Sequence, residues 1–289
     1  MKIQSLSVVV PAKQCINNCK FCVARMKEEP YKNQFDANLP FYDLYQDDYL
    51  KRLAFARDNG CNTVMLTGNA EPQQNRAFLK DFGTLNRQLE RPFRWIEMQT
   101  TGRLLDDPYL RFLRNHVGVS TISLSICSFD DIKNGEICQM KEPVDLHHLC
   151  HEIKRYDFNL RISMNLTDEF NHMGAEEIID YCKNELKADQ ITFRVLYQSD
   201  ENTDQDKWID EHAAKPELIE EIKEYIRRFG RPLERLVFGA MKYSIKGMSV
   251  VLDDDCMATA TDKEELKYLI LRPNCKLYSK WDDPASLIF

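Results

Sequence analysis

Short apolar runs alternate with longer segments of helical period along most of the chain. Apolar or β-branched runs between turn signals predict buried strands, and apolar positions spaced by three or four residues predict amphipathic helices. This alternation is typical of repeated βα units around a parallel sheet. The pattern predicts strands at residues 6–10, 63–67, 95–100, 121–126, 160–165 and 191–197, and helices at residues 43–57, 75–89, 108–115, 144–154, 175–186 and 216–229.

Six βα units are fewer than the eight that close a barrel. We therefore predict an α/β fold in the form of a partial, open (βα)6 TIM-like barrel, with a doubly wound sheet as the alternative. The helical pattern stops at Gly230 and extended segments follow. We interpret residues 1–230 as the barrel core and residues 231–289 as a C-terminal β-rich cap that packs across the barrel mouth.

The extended segments of this C-terminal part are predicted at residues 236–238, 249–252 and 268–271. A hairpin turn is expected at residues 273–274, because Pro and Asn favour turns. The stretch at residues 199–212 is polar and acidic, and we expect it to form an exposed loop before the last helix.

Composition and charge exclude several classes of protein. Hydrophobic residues make up 43% of the 289 residues, with only 10 Gly and 11 Pro, which excludes collagen-like and disordered chains. The 39 basic and 46 acidic side chains give a net charge of −7, which opposes binding to nucleic acid or to an anionic membrane. No apolar stretch reaches the roughly 18 residues that a membrane span requires, so we expect a cytoplasmic protein.

Three of the ten cysteines lie close together, directly after the first predicted strand. Cys15, Cys19 and Cys22 have the spacing CxxxCxxC, which lets one loop wrap its thiolates around a soft metal centre. Three thiolates would leave one iron of a [4Fe-4S] cubane open. A structural zinc site is the main alternative, but it needs four ligands, and no fourth Cys or His lies nearby in the sequence.

At these residues the chain resembles the radical S-adenosylmethionine (radical SAM) superfamily. The family signature is the same CxxxCxxC motif with an aromatic residue before the last cysteine, here Phe21. A second family motif, a Gly-Gly-Glu-Pro-like turn after the second strand, hydrogen-bonds the amino group of SAM. Here that turn, in which the second glycine is replaced, corresponds to Gly68, Asn69, Ala70, Glu71 and Pro72.

The resemblance extends to the later strands and implies further contacts with SAM. Thr100 ends the third strand, where the family often has a Thr or Asn near SAM, and Ser123 matches a fourth-strand serine. Arg161, with Ser163 two residues later, lies where several members pair a basic residue with the SAM carboxylate. Because a cation in an apolar strand needs a partner, we expect Arg161 to find it in that carboxylate.

The resemblance implies a radical SAM enzyme with one [4Fe-4S] cluster. In that family, reductive cleavage of SAM yields a 5′-deoxyadenosyl radical that removes a hydrogen atom from the substrate. An external electron donor such as flavodoxin or ferredoxin is also implied. The alternative is a non-catalytic iron-sulfur or zinc sensor, which would have no use for Glu71, Ser123 and Arg161. A glycyl-radical activase fits less well, because the chain extends far beyond the sixth strand.

The substrate itself is not evident from the sequence. Arg194, Lys242 and Tyr243, with Lys246 nearby, are candidate contacts that could hold a phosphate or carboxylate. They favour a small anionic metabolite or nucleotide over a peptide or RNA. We expect a single cluster, because Cys256 and Cys275 have no close cysteine neighbours, and we interpret residues 253–255 as a solvated turn.

Overall fold

The computed structural model describes residues 2–26, 46–237, 239–254, 265–281 and 283–288. Cys256 and Asp255, to which the sequence drew attention, lie outside these ranges. So do the first three residues of the helix predicted at 43–57 and the last residue of the strand predicted at 236–238.

Six parallel strands follow one another in the sheet in chain order, each paired with the next. They form where the apolar runs predicted them, although β1 begins at Lys2 rather than at residue 6 and β6 ends at Arg194 rather than at residue 197. The strands are β1 Lys2–Val9, β2 Thr63–Thr67, β3 Trp95–Thr100, β4 Thr121–Ile126, β5 Asn159–Asn165 and β6 Gln190–Arg194.

The strands after residue 230 extend this same sheet at both of its edges. They are β7 Arg231–Arg235, β8 Met241–Ile245, β9 Met248–Asp253, β10 Glu265–Leu271 and β11 Leu277–Tyr278. Strand β9 pairs in parallel with β6, and β10 pairs in parallel with β1, so the wall has eight parallel strands. Strands β8 and β7 continue antiparallel beyond β9, and β11 is antiparallel to β10 across the predicted turn at 273–274.

The sheet order confirms a partial, open barrel, because it ends at β11 on one side and at β7 on the other. The prediction that the extended segments after residue 230 pack across the mouth is wrong for β9 and β10, which are part of the wall itself. Leu236 and Val237 form the loop between β7 and β8 rather than a strand. The Val237 amide donates to Gln4 Oε1 of β1 at 3.2 Å, so this loop reaches back towards the opposite side of the opening.

Most of the helices pack on the outer face of the sheet, whereas α4 and α7 also contact the loop after β1. Two of them were missed in the sequence, at residues 131–138 and 204–212, and the second replaces the exposed loop predicted there. Its N-terminus has a capping box between Thr203 and Asp206. The helices are α1 Gln46–Asp58, α2 Arg76–Gln88, α3 Asp107–Phe112 with a π-helical turn at Leu113–Val117, α4 Asp131–Cys138, α5 Leu146–Arg155, α6 Ala175–Asn184, α7 Asp204–His212 and α8 Pro216–Phe229.

The apolar core lies between the sheet and the helices, not inside the barrel. In β4, for example, Ile122 and Leu124 are fully buried in that core, while Ser123 and Ser125 line the barrel interior. Each fully buried Leu or Ile stabilises the fold by about 1.5–3 kcal/mol. The interior faces of the strands carry many polar side chains, together with apolar ones such as Ile3 and Met65, and they surround an open cavity.

Candidate active site

A cavity of about 830 Å³ occupies the barrel interior. Its volume lies within the range of ordinary ligand pockets. One part of the wall comes from the loop after β1, through Cys19, Phe21 and Cys22. The strands supply polar and charged side chains, among them Glu97, Ser123, Arg161, Ser163, Arg194 and Asp253.

Residues that follow the next two strands hold the loop after β1, residues 11–22, which we call the cysteine loop. Gln74, after β2, accepts a hydrogen bond from the Ile16 amide at 3.0 Å and donates to the Gln14 carbonyl at 2.8 Å. Arg103, after β3, donates through Nη1 to the Ile16 carbonyl at 2.6 Å and to Asn17 Oδ1 at 3.0 Å. These two residues were not identified in the sequence.

The cysteine loop also caps the C-terminal end of α4. The Lys20 amide donates to the Ile137 carbonyl at 3.1 Å, and the Asn18 amide donates to the Cys138 carbonyl at 3.3 Å. The last carbonyls of a helix have no partner within the helix, so these bonds satisfy both the helix and the loop. Cys19 packs beside Cys138, which in turn lies 3.8 Å from Cys127 between the sulfur atoms.

Burial and neighbouring groups disfavour the thiolate forms of the cysteine-loop thiols and raise their pKa. Burial raises the pKa of Cys15, and it raises that of Cys22 to about 11. A hydrogen bond with Cys138, together with burial, raises the pKa of Cys19 well above its usual range. A bound metal would favour the thiolate forms instead.

The chemistry of these donors fits an iron-sulfur cluster, because three soft sulfur atoms share one loop. Cys19 and Cys22 line the cavity, whereas Cys15 lies outside its lining. Within the ranges that the structure describes, no three side chains of His, Cys, Asp or Glu are gathered closely enough to hold a metal ion. The three thiols are therefore not in a ligand geometry, and Cys19 makes a hydrogen bond with Cys138 instead.

Glu71 lies in the turn after β2 and is 5% exposed. Its Oε1 accepts hydrogen bonds from the Thr101 amide at 2.8 Å and the Thr101 hydroxyl at 2.6 Å, and its Oε2 accepts from the Thr100 hydroxyl at 2.9 Å. Burial raises the pKa of Glu71. The carboxylate therefore fixes the turn at the end of β3.

Gly68, Asn69 and Ala70 lead from β2 into this turn. Gly68 and Asn69 line the cavity, whereas Ala70 is half-buried beside it. A Cβ atom on Gly68 would lie 3.2 Å from the Val10 carbonyl oxygen of the neighbouring chain segment. A glycine therefore suits the close approach between the start of the cysteine loop and the end of β2.

Arg161 lies on the interior face of β5 and has partners within the protein. Its Nη1 lies 2.5 Å from Glu97 Oε2 of β3, and its Nε and Nη2 donate to Gln190 Oε1 at 2.9 and 2.6 Å. Glu97 is buried, with 5% of its side chain exposed. The two side chains form an ion pair across the cavity wall.

Arg194 and Asp253 form a second ion pair, at the carboxyl ends of β6 and β9. Arg194 Nη1 donates to Asp253 Oδ2 at 3.0 Å, and Arg194 Nε donates to Ser163 Oγ at 2.7 Å. Asp253 is 7% exposed, so the prediction that it lies in a solvated turn is wrong. No sequence signal marked it, because the neighbouring acidic residues made the stretch look like a surface turn.

Comparison with known proteins assigns the chain to a family. The family model described as the Radical SAM superfamily matches residues 9–182, which is more than half of the chain. The chain belongs to the radical SAM superfamily. The cofactors of this superfamily are a [4Fe-4S] cluster and SAM.

Solved radical SAM structures share the fold. The chain is similar to Streptococcus suis SuiB bound to S-adenosylmethionine, with 17% identity, a TM-score of 0.58, and coverage of 96% of this chain and 60% of SuiB. It is also similar to HemN of Escherichia coli, described as a coproporphyrinogen III oxidase and a radical SAM enzyme. That match has 14% identity, a TM-score of 0.54, and coverage of 78% of this chain and 52% of HemN.

This chain therefore spans less than two thirds of the length of these solved radical SAM proteins. A search among curated protein sequences found no significant match. Among the described residues, every helix is too short or too polar to cross a bilayer.

The structure brings most of the predicted radical SAM site residues to one cavity. Cys19, Phe21, Cys22, Gly68, Asn69, Ser123, Arg161, Ser163 and Arg194 line it. Thr100 lies just behind the wall, where its hydroxyl donates to Glu71 and accepts from Gln73 Nε2 at 2.5 Å. Phe21 packs against Trp208 of α7, with ring centroids 6.1 Å apart.

One expectation about the contacts of an individual residue needs correction. Arg161 is not an unpaired cation awaiting the SAM carboxylate, because Glu97 and Gln190 already bind it. Both oxygens of Glu71 accept hydrogen bonds from Thr100 and Thr101, and Oε2, which accepts only one, keeps a second acceptor site. Their direct contacts with SAM stay predictions.

The structure places the predicted substrate-contact residues after residue 230 in different parts of the molecule. Lys242 lines the cavity, but it pairs with Glu234 at 3.0 Å. Tyr243 lies outside the cavity lining and packs against the apolar core instead. Lys246 points to the outer helix α6, where it pairs with Glu176 at 3.1 Å and Asp180 at 2.6 Å.

The Arg161–Glu97 pair leads to a prediction about stability. Arg161→Ala leaves the Glu97 carboxylate buried without its cation, so we expect the free energy of unfolding to fall by about 3–5 kcal/mol. Replacing both residues by Met removes the uncompensated charge and should restore most of that loss. Urea unfolding of the two variants measures the difference. Unchanged stability combined with weaker SAM binding in Arg161→Ala would favour the SAM carboxylate as its main partner.

Proposed function

We propose that Cys15, Cys19 and Cys22 hold the cluster at the wall of the barrel cavity, and that SAM and a small polar substrate bind inside. The observation that carries this proposal is the cysteine loop itself, which lies at the carboxyl ends of the strands and, through Cys19 and Cys22, lines an open cavity with polar and charged side chains in its wall. A sensor that used the cysteines only for metal binding would not need a cavity of this size.

A cluster held by Cys15, Cys19 and Cys22 would supply the electron for reductive cleavage of SAM. The chain's own residues orient the reactants and exclude water from them. Glu71 fixes the turn at Thr100 and Thr101, while Gln74 and Arg103 hold the backbone of the cysteine loop. Ser123 and Ser163 offer hydroxyl groups inside the cavity, where SAM or substrate can accept or donate hydrogen bonds.

The geometry favours a small polar substrate over a polymer. The cavity lies inside the barrel, and its volume suits SAM together with a small molecule. The cations that the sequence suggested for an anionic substrate are already paired, Arg194 with Asp253 and Lys242 with Glu234. We therefore propose no bound anion at these residues. An external electron donor, such as flavodoxin or ferredoxin, is also part of the proposal.

Anaerobic reconstitution tests the proposed function. The purified chain is loaded with iron and sulfide, reduced with dithionite in the presence of SAM, and assayed for 5′-deoxyadenosine by chromatography. We expect an absorbance band typical of a [4Fe-4S] cluster and slow formation of 5′-deoxyadenosine. A stable metal site without SAM cleavage would instead favour the non-catalytic iron-sulfur or zinc protein.

A further inference from the structure

Asn17 lies in the cysteine loop, two residues after Cys15, and its side chain is buried. It is 2% exposed, whereas the neighbouring Asn18 is exposed. The side-chain amide of Asn17 donates through Nδ2 to the Thr101 hydroxyl at 2.8 Å, and its Oδ1 accepts from Arg103 Nη1 at 3.0 Å. Both ends of the amide therefore bind residues that follow β3, and the side chain is held in one orientation.

The hydrogen bonds run in one direction from Asn17 to Glu71. Because arginine can only donate, the amide oxygen of Asn17 faces Arg103 and its NH2 group faces Thr101. The Thr101 hydroxyl therefore accepts from Asn17 and donates its own hydrogen to Glu71 Oε1 at 2.6 Å. The Thr101 amide donates to the same carboxylate oxygen at 2.8 Å. The orientation of the Asn17 side chain is thus passed on to the buried carboxylate of Glu71.

Asn17 and Glu71 also meet at the sulfur of Cys15. The Asn17 amide donates to Cys15 Sγ at 3.4 Å, and the Glu71 amide makes a second hydrogen bond to this sulfur. Together with Thr101 these residues form a closed ring of hydrogen bonds, which we call the Asn17 ring. It connects a proposed cluster ligand with the turn after β2 and with Thr101, which lines the cavity. Because a shift of one member would leave buried polar groups unpaired, the ring holds the cysteine loop against this turn.

We propose that Asn17 is a positioning residue that holds the cysteine loop in place relative to the turn after β2 and thereby supports SAM binding. This inference rests on the proposed function, in which SAM binds inside the cavity beside the cluster. There SAM meets both the cysteine loop and the residues after β2 and β3, so its affinity depends on their relative positions. A residue with a purely structural role would lower the stability of the fold but leave the SAM affinity of the folded, iron-loaded protein unchanged.

Asn17→Leu tests this inference, because leucine has a similar size but can neither donate nor accept a hydrogen bond through its side chain. The matched control is Asn18→Leu, which changes the same residue type in the same loop but removes only an exposed contact with Gln139. Both variants and the wild type are reconstituted anaerobically with iron and sulfide, and their iron content is determined. Equilibrium dialysis with radiolabelled SAM then gives the dissociation constant of SAM for each protein.

We expect both variants to take up as much iron as the wild type, since all three cysteines remain. The dissociation constant of SAM should rise about tenfold in Asn17→Leu and stay within about twofold of the wild type in Asn18→Leu. Wild-type SAM affinity in iron-loaded Asn17→Leu, or an equal loss of affinity in both variants, would overturn the inference and leave the proposed function intact. If the wild type itself takes up no iron or binds no SAM, the proposed function fails first, and the inference falls with it.

A second variant decides the matter if leucine prevents iron uptake. Asn17→Asp keeps the shape of the side chain and an acceptor for Arg103, but it presents an oxygen instead of the NH2 group to Thr101. Thr101→Val removes the hydroxyl on the other side of the same hydrogen bond. We expect each substitution to raise the dissociation constant of SAM about tenfold, and the double variant to raise it no further, because both break one connection. Effects that multiply in the double variant, or wild-type SAM affinity in iron-loaded Asn17→Asp, would overturn the inference.

Discussion

Replacing Cys15, Cys19 and Cys22 together by Ala is expected to abolish both iron binding and 5′-deoxyadenosine formation. The reason is chemical: alanine offers no soft donor, and no other cysteine lies in the cysteine loop. The three side chains are half-buried rather than fully buried, so their loss leaves no large cavity in the core. We therefore expect the variant to keep its far-UV circular dichroism spectrum and a cooperative thermal transition.

Cys182→Ala is the matched control for this experiment. Cys182 is a fully buried thiol of α6 in the layer outside the sheet, so its removal should leave iron content unchanged. Iron and sulfide analysis after anaerobic reconstitution measures the difference. Full iron retention in the triple variant would contradict the assignment of the cluster to the cysteine loop.

The second large effect is expected from deletion of residues 231–289. This deletion removes β9 and β10, which pair directly with β6 and β1, and it exposes the edges of both strands. Val250, Leu269 and Leu271 are fully buried, and each contributes about 1.5–3 kcal/mol. Their combined loss is comparable to the whole stability of a typical domain, which is about 5–15 kcal/mol. We expect an insoluble or unfolded product.

A chain that ends at Ser279 is the control, because it keeps all eight parallel strands. It should remain soluble and melt cooperatively. The comparison also tests the proposed division of the chain at residue 230. A soluble 1–230 protein with a cooperative thermal transition would show that the first six βα units form an independent core and that the later strands only lie against it.

Local sequence patterns predicted the central strands of the barrel but not the strands that extend the sheet at its two edges. Strands β2, β3 and β4 match their predicted ranges, because each is a short apolar run between turn residues. The polar composition of β7 and β8 hides their extended structure. The parallel pairing of β9 with β6 and of β10 with β1 joins segments that are distant along the chain, and periodicity carries no information about such partners.

The candidate site shows the same limit at the level of single residues. The spacing of the three cysteines identified the loop, because a local motif carries that information. The partners of Arg161 come from two other strands, so only the folded chain shows that Glu97 and Gln190 bind it. Helix α7 did leave a local signal, since Thr203 and Asp206 have the spacing of a capping box, but the acidic composition around them suggested a loop.

The anchoring of the cysteine loop bears on how the protein would respond to exposure to air if the proposed cluster is bound there. Its backbone is held by Gln74, by Arg103 and by the last carbonyls of α4, all of which belong to the polypeptide. Oxidative loss of the proposed cluster would therefore remove the iron but leave these hydrogen bonds in place. The apoprotein should then accept a new cluster without unfolding and refolding.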